Sequence, residues 1–167
     1  MKVLVLSDSH SVRGIMRYAI LRIKPDAIVH LGDHYEDGEV IAEENMHIPM
    51  YQVPGNCDAY RCFGKTELLC LDVFGIRMFM THGHRQHVKQ TQLRLVKEAR
   101  EMGAAIALYG HTHVADVYRE DDGLWVMNPG ACGSYGGSVG IIEVENGQIL
   151  RCAILSADEL TVLKEQL

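Results

Sequence analysis

The segment KVLVLSDSH, residues 2–10, decides the fold of this chain. Residues 2–7 form an apolar run without alternation, which is typical of a central strand buried on both faces. Asp8 and His10 follow at its carboxyl end. Side chains two residues apart in an extended chain point the same way, so this pair can hold one ligand from one side.

Outward from this segment, apolar runs and turn residues predict alternating strands and helices in the first half and mostly strands in the second. The predicted helices are 12–23, 38–45 and 88–102, and the predicted strands are 2–7, 27–31, 50–53, 67–73, 76–80, 104–110, 114–120, 124–128, 139–145 and 148–154. The last dozen residues fit a short helix or a tail. We expect one domain over 1–167, of α/β (α+β) class, with two mixed β-sheets face to face and helices outside.

Composition excludes several classes of protein. The chain has 167 residues, 47% of them hydrophobic and 23% charged, which is typical of a globular domain rather than a disordered one. No apolar run reaches the ~18 residues of a membrane span, and the N-terminal run is too short for a signal-peptide core, so we expect a cytoplasmic protein without a membrane partner. The net charge of −6 argues against extended nucleic-acid binding. Five cysteines without a CxxC pair favour free thiols.

Five polar clusters share one placement, because each follows a predicted strand. They are Asp8-Ser9-His10, Gly32-Asp33, Gly55-Asn56-Cys57-Asp58, Thr81-His82-Gly83-His84 and Gly110-His111-Thr112-His113. Ligands of α/β sheets bind beyond the carboxyl ends of the strands, so these clusters are expected to converge. Asp, His and Asn side chains are suitable metal ligands.

Each cluster alone has an ordinary explanation. Asp33 could be a helix N-cap and Asn56 a turn residue. Chance does not readily place all five clusters at strand ends in this order. His30, His47 and His87 lack that placement and are interpreted as structural or surface residues, and His34 as a neighbour of Asp33 rather than a ligand.

The series DxH, GD, GN, HGH and GHTH resembles the calcineurin-like metallophosphoesterase superfamily, most of all its small single-domain prokaryotic phosphodiesterase branch. The resemblance extends from Asp8 to about Gly130 and implies a four-layer αββα sandwich with a binuclear metal centre. It assigns Asp8, His10, Asp33 and His113 to one metal and Asp33, Asn56, His82 and His111 to the other, with Asp33 bridging.

The resemblance also implies a reaction, in which a metal-bridging hydroxide attacks the phosphorus of a small phosphate ester in line. Two divalent ions against two aspartates leave a charge of roughly +2, which favours an anionic substrate. Four histidines in the ligand set suit Mn, which we expect first, or Ni, Fe, Co or Zn. The sequence leaves the oligomeric state open, a homo-oligomer included.

Cys57 departs from the superfamily pattern, since many members carry a histidine there that assists the leaving group. A thiol is a weak donor and mostly protonated at pH 7, so we expect weak or narrow activity, best on diesters with good leaving groups. The catalytic candidates are Asn56, Cys57 and His84. For His84 two roles stay open: an acid or phosphate contact, and a residue that orients the site.

Further residues are expected around the centre. Asn128-Pro129-Gly130 resembles the family's NPG segment, and Gly130 joins Asn56 and His84 as a candidate for substrate binding. Two interpretations stay open for the following loop, residues 131–138: it offers backbone N–H groups to the substrate, or it is a simple hairpin loop. Asp37 and Asp58 are expected to support the ligands from behind.

Other functions fit less well. Gly136–Gly140 matches GxSxG, but a strand follows where a serine hydrolase needs a helix, and no histidine follows His113. The serious rival is a protein-interaction scaffold, as in the eukaryotic retromer subunit of this fold, with vestigial chemistry. The complete ligand set argues against it. The acidic balance argues against a nuclease, although short nucleotides stay open as substrates.

Overall fold

Ten strands and four α-helices make up the computed structural model, which describes residues 1–162. In chain order they are β1 (Lys2–Leu6), α1 (Gly14–Ile23), β2 (Ala27–His30), α2 (Tyr35–Glu44), β3 (Met50–Gln52), β4 (Leu68–Val73), β5 (Ile76–Thr81), α3 (Leu93–Glu101), β6 (Ile106–Leu108), β7 (Asp116–Arg119), β8 (Trp125–Asn128), β9 (Ser138–Glu145), β10 (Gln148–Ser156) and α4 (Ala157–Val162). A short 3-10 helix covers Asn56–Asp58.

The strands form two five-stranded sheets, each with parallel and antiparallel neighbours. The first sheet has the order β10-β9-β1-β2-β3, with β1, β2 and β3 parallel to one another. The second has the order β4-β5-β6-β8-β7, with β5, β6 and β8 parallel. The expected pair of mixed sheets is therefore confirmed.

The central strand β1 shows why its sequence lacks alternation. Val3 and Val5 lie in the apolar core between the two sheets. Leu4 and Leu6 face the other way, into a second core that they share with Met16 and other residues of α1. All four side chains are fully buried, so an apolar residue is required at each position of the strand.

Helices cover the outer face of each sheet. Apolar side chains of α1, α2 and α4 pack on the first sheet, and those of α3 pack on the second. The order of layers is therefore helix, sheet, sheet, helix, as expected. No helix among residues 1–162 has the length and apolarity needed to cross a membrane. All five cysteines are free.

The boundaries of several elements differ from the predictions. The helix predicted over 88–102 begins only at Leu93, because turns continue to Gln90 and the Thr91 hydroxyl accepts a hydrogen bond from the Leu93 N–H at 3.3 Å, where the helix starts. The strands predicted over 104–110 and 114–120 shorten to Ile106–Leu108 and Asp116–Arg119. In the last dozen residues α4 is a short helix, and residues 163–167 lie outside the described part.

The helix α2 begins at Tyr35, three residues earlier than predicted. Its first turn is held by the Asp58 carboxylate, whose Oδ1 accepts hydrogen bonds from the backbone N–H groups of His34 and Tyr35 at 2.9 and 3.0 Å. A carboxylate at a helix N-terminus satisfies free N–H groups and the helix dipole. Because Asp58 comes from the loop after β3, the sequence of α2 alone does not show this start.

Candidate metal centre

The seven candidate ligands lie in loops at the carboxyl ends of strands from both sheets. Loops after β1, β2 and β3 of the first sheet carry Asp8, His10, Asp33 and Asn56, and loops after β5 and β6 of the second carry His82, His111 and His113. Hydrogen bonds join the two sets. The His111 N–H donates to Asp8 Oδ2 at 3.1 Å, and His82 Nδ1 lies 2.7 Å from the Leu31 carbonyl oxygen.

A first ligand group consists of Asp8, His10, Asp33 and His113. One ligand atom from each of the four lies within 4.8 Å of the others. His113 Nε2 is 3.1 Å from Asp8 Oδ1 and 3.3 Å from His10 Nε2. The structure thus brings together the four residues that the resemblance assigns to one metal.

A second ligand group consists of Asp33, Asn56, His82 and His111. His82 Nε2 lies 3.2 Å from Asn56 Oδ1 and 3.5 Å from Asp33 Oδ1. The rings of His82 and His111 are neighbours, with centroids 5.1 Å apart. Asp33 belongs to both groups, as the resemblance leads us to expect of a residue shared by two metals.

The surroundings of the Asp8 carboxylate show whether a cation fits between the candidate ligands. It is fully buried, and its Oδ2 accepts hydrogen bonds from Ser7 Oγ at 2.5 Å and from the His111 N–H. Its Oδ1 accepts none from the residues that the structure describes. Three imidazole Nε2 atoms surround this oxygen, those of His113 at 3.1 Å and of His10 and His82 at 4.0 Å. A buried carboxylate oxygen without a donor is unfavourable, and a divalent cation would satisfy it.

The His82 ring is oriented for coordination. The Leu31 carbonyl can only accept, so Nδ1 carries the proton and Nε2 faces the oxygens of Asn56 and Asp33. Burial lowers the pKa of His82, but the carboxylates of Asp33 and Asp8 act against it, and the net effect raises this pKa. Burial is the largest single effect on Asp33 and raises its pKa, but the interactions with His82 and Cys57 together lower this pKa well below its usual range, so Asp33 is ionised at neutral pH.

The His111 imidazole is neutral at pH 7. Burial, and then the neighbouring His82, lower the pKa of His111 to about 4. A neutral imidazole is the form that binds metals. The position therefore favours the ligand form of the side chain without a proton having to be displaced.

The backbone at the centre is strained. Among the seven candidates, five have φ in the left-handed region, which non-glycine residues seldom adopt: Asp8 (54°), His10 (44°), Asp33 (55°), His111 (67°) and His113 (62°). Such strain persists only where the surroundings impose it, and it is concentrated at functional sites. The sequence gives no direct signal of this strain.

Gly55 lets two of the ligand loops touch. A Cβ atom on Gly55 would overlap Oδ1 and the backbone nitrogen of Asp33. The carboxylate of Asp58 accepts a hydrogen bond from the Gly55 N–H at 2.8 Å and also holds the start of α2. Asp58 is buried, and it lies where the sequence predicted a supporting residue.

Asp37 supports the loop after β1. Its Oδ2 accepts hydrogen bonds from Ser9 Oγ and from the Ser11 N–H, both at 2.8 Å, and Arg13 Nε lies 3.5 Å from Oδ1. Because Ser9 stands between Asp8 and His10, this buried carboxylate fixes the loop that carries both ligands.

His30 contributes to the same buried network. It is completely buried, and its Nε2 lies 3.3 Å from Ser9 Oγ. Burial lowers the pKa of His30 to about 4, so the ring is neutral at pH 7. The prediction that His30 is structural agrees with this position. The sequence alone did not indicate that Ser9 joins this network. The only hint of such a role is the buried strand that precedes Ser9.

Cys57 and His84 flank the second ligand group. The Cys57 N–H donates to Asp33 Oδ1 at 2.9 Å, and burial followed by Asp33 raises the pKa of its thiol to about 11. The His84 ring lies 5.5 Å from that of His82 and 6.1 Å from that of His111. Burial and then His82 lower the pKa of His84.

Gly130 does not have a free donor for a substrate. It is buried, and its N–H donates to Asn128 Oδ1 at 2.9 Å. The Asn128 amide donates in turn to the Gly110 carbonyl at 3.0 Å and to Thr112 Oγ1 at 2.8 Å. The NPG segment therefore fixes the loop that carries His111 and His113, and in this structure the Gly130 N–H is not directed to the substrate.

Comparisons with protein families, with individual proteins and with solved structures all match this chain to phosphoesterases. A model of the calcineurin-like phosphoesterase superfamily domain matches residues 1–147. The probable metallophosphoesterase YsnB of Bacillus subtilis is 36% identical over 133 residues, which cover 78% of this chain and 75% of YsnB. Phosphodiesterase MJ0936 of Methanocaldococcus jannaschii is 26% identical over 163 residues, 87% of this chain and 94% of its own. A crystal structure of a predicted phosphoesterase from Streptococcus pneumoniae TIGR4 has a TM-score of 0.74 at 27% identity and covers 94% of this chain and 90% of its own.

Proposed function

Because this chain belongs to the calcineurin-like phosphoesterase superfamily, a family of metal-dependent phosphoester hydrolases, we propose that it is a phosphodiesterase with a binuclear metal centre. One observation carries the proposal. The buried Asp8 Oδ1 accepts no hydrogen bond within residues 1–162 and faces three imidazole nitrogens. This arrangement of a carboxylate oxygen and imidazole nitrogens is suited to a divalent cation.

The two ligand groups would hold one divalent ion each and share Asp33. Manganese is the ion we propose first, since the set combines two carboxylates and an amide oxygen with four imidazoles. When bound, two such ions would activate the attacking water, polarise the phosphoryl oxygens and offset the developing negative charge. The protein itself contributes the orientation of the ligands, through the His82–Leu31 hydrogen bond and the Asp37 and Asp58 carboxylates.

The residues beside the second ligand group would act on the substrate. Asn56 is placed to contact the phosphoryl group as well as a metal, because its Oδ1 lies at the ligand group while its Nδ2 is directed to Cys57 Sγ at 3.6 Å. The Cys57 thiol stays protonated at neutral pH, so it can donate only a weak hydrogen bond. His84 is the stronger donor at this edge, since even the neutral imidazole that its lowered pKa favours carries one N–H group, and we assign it to the leaving oxygen as a hydrogen-bond donor.

A relative supports the preference for diesters, and Cys57 supports a preference for good leaving groups. The relative MJ0936 is named a phosphodiesterase, and it aligns along nearly its whole length with this chain. Weak assistance to the leaving group, as expected from Cys57, limits the enzyme to esters whose leaving groups need little help.

Turnover with defined substrates tests the proposal. Protein stripped by a chelator and reloaded with Mn, Ni, Fe, Co or Zn is incubated with bis(p-nitrophenyl) phosphate and with p-nitrophenyl phosphate. We expect hydrolysis only after reloading, with the diester cleaved faster than the monoester. A faster monoester would overturn the diesterase assignment. No turnover with any of the five metals would favour the interaction scaffold instead.

Replacing His84 by alanine tests its role at the leaving group. For substrates with good leaving groups, kcat/KM of the variant should stay close to that of the parent protein. As the leaving-group pKa rises, the loss of kcat/KM should grow to about tenfold or more, because a hydrogen bond to an oxygen that gains negative charge contributes about 1.5–3 kcal/mol. His47→Ala is the matched control, since His47 is an exposed histidine outside the ligand loops. A loss that is the same for all leaving groups, with unchanged metal content, would show instead that His84 only orients the site.

A further inference from the structure

The Ser9 hydroxyl belongs to a buried cluster that touches the loop after β1. Ser9 stands between Asp8 and His10 and is completely buried. Its Oγ lies 2.8 Å from Asp37 Oδ2 and 3.3 Å from His30 Nε2. A hydroxyl group has one proton to donate, and a carboxylate oxygen can only accept. The shorter contact is the one to the carboxylate, so the Ser9 proton is directed to Asp37.

The direction of this hydrogen bond decides which nitrogen of the His30 ring carries the proton. Because the Ser9 proton points to Asp37, His30 Nε2 must be the donor in its contact with Ser9 Oγ. In a neutral imidazole with its proton on Nε2, Nδ1 has a lone pair and needs a donor. Nδ1 is buried and has no hydrogen-bond partner among residues 1–162. A buried acceptor without a donor is unfavourable, so a donor for Nδ1 is required close by.

Gln52 is the side chain placed to supply this donor. The strands β2 and β3 are parallel neighbours, and His30 and Gln52 are partners in their register. Their side chains therefore lie side by side on one face of the sheet. A Cβ atom on Gly38 of α2 would overlap Gln52 Oε1 and lie 3.4 Å from His30 Nδ1. The amide and the ring thus meet at one point beneath α2.

Gly38 keeps this meeting point open. A glycine inside a helix costs about 1 kcal/mol relative to alanine. Here an alanine methyl group would occupy the place of the Gln52 amide. The glycine therefore gives the Gln52 side chain room to lie against the His30 ring.

The Gln52 amide oxygen lacks a partner at the same point. Oε1 is buried and accepts no hydrogen bond from the described part of the chain. Two acceptors, Oε1 and His30 Nδ1, therefore share this space without a donor between them. A half turn of the amide leaves its shape unchanged and exchanges the oxygen for the NH₂ group. One N–H then satisfies His30 Nδ1, and the amide oxygen leaves the buried position.

We propose that Gln52 is a positioning residue of the metal centre, whose amide N–H donates to His30 Nδ1 and so keeps the ring proton on Nε2. His30 then donates to Ser9, and Ser9 donates to Asp37. Three hydrogen bonds with one direction would thus run from the edge strand β3 to the loop that carries two candidate ligands. The direction of the bonds is a property of the protein alone, whereas their effect on metal binding rests on the proposed function.

NMR of the ring nitrogens of metal-free protein tests the direction, with His30 assigned by the signals that a His30→Asn variant lacks. The parent protein should have a protonated Nε2 and an unprotonated Nδ1 whose resonance is displaced by an accepted hydrogen bond. In Gln52→Met, which keeps the length of the side chain without a donor, the Nδ1 resonance should move to that of a free lone pair. Gly38→Ala should cause the same shift, because the methyl group displaces the amide. A proton on Nδ1 in the parent protein, or an Nδ1 resonance unchanged in both variants, would overturn the inference.

The effect on the metal centre is measured by titrating metal-free protein with Mn²⁺. In Gln52→Met the dissociation constant should rise about tenfold, the lower end of the range for residues that orient ligands. Gln148→Met is the matched control, since Gln148 is exposed on β10 at the opposite edge of the same sheet, and it should change neither the His30 resonances nor the dissociation constant. An unchanged constant in Gln52→Met, with Nδ1 displaced as expected, would reject the positioning role. Turnover of bis(p-nitrophenyl) phosphate by the parent protein reports the proposed function separately, so the two failures can be distinguished.

Discussion

Replacing Asp33 by asparagine should reduce kcat/KM for an aryl phosphodiester by about 10³-fold and lower the number of bound metal ions. Asp33 belongs to both ligand groups, and its Oδ1 lies 3.5 Å from His82 Nε2. The amide keeps an oxygen that can accept the hydrogen bond from the Cys57 N–H, so the loop should remain in place. The change removes one of the two negative charges of the ligand set, and with it the attraction for a second cation.

Metal analysis and steady-state kinetics on the same preparations measure this effect. Asp72→Asn is the matched control, because Asp72 is an exposed aspartate on β4 that lies 3.8 Å from Arg77. The control should keep full metal content and activity. If Asp33→Asn retained two ions per chain and activity within tenfold of the parent, Asp33 would not be the shared ligand.

Replacing Gly55 by alanine should destabilise the protein by about 3 kcal/mol and abolish metal binding. The reason is space rather than backbone conformation, since Gly55 has an ordinary φ of −96°. The new methyl group would overlap Asp33 at its carboxylate and backbone nitrogen, with its Cγ only 2.9 Å away. Asp33 cannot move aside without losing the hydrogen bond from Cys57 and its place between the ligand groups.

Denaturant unfolding of metal-free protein separates the structural effect from the loss of metal. Gly14→Ala serves as the control, because a Cβ atom at Gly14, in the first turn of α1, would meet no atom within 4 Å. This control should be as stable as the parent, or more stable by up to about 1 kcal/mol. A Gly55→Ala variant with parent stability and full metal content would show that the two loops have room to separate.

The sequence predicted the strands and the ends where the candidate ligands lie, because burial on both faces leaves an unmistakable apolar run such as residues 2–7. It could not predict boundaries that depend on distant residues. The start of α2 is held by Asp58 from another loop, whose carboxylate accepts one hydrogen bond from the His34 N–H and one from the Tyr35 N–H. Local periodicity contains neither contact.

The ligand types could be read from the clusters, but their geometry could not. The hydrogen bond from His111 to Asp8 and the orphaned Asp8 Oδ1 exist only once the two sheets face each other. The NPG segment was placed near the site on resemblance alone. The structure gives it a different task, since Asn128 holds the loop of His111 and His113 and uses the Gly130 N–H itself.

The division of the candidate ligands between the two sheets has a consequence for folding. Four of them come from the first sheet and three from the second, so neither sheet alone can complete either ligand group. Any ion held there would join two regions that are distant in the chain, and it would bind the assembled protein far better than the unfolded one. By linkage, each tenfold rise in free metal above its dissociation constant then adds about 1.4 kcal/mol to the free energy of unfolding per ion bound. The supply of metal would thus influence the stability of the folded chain as well as its activity.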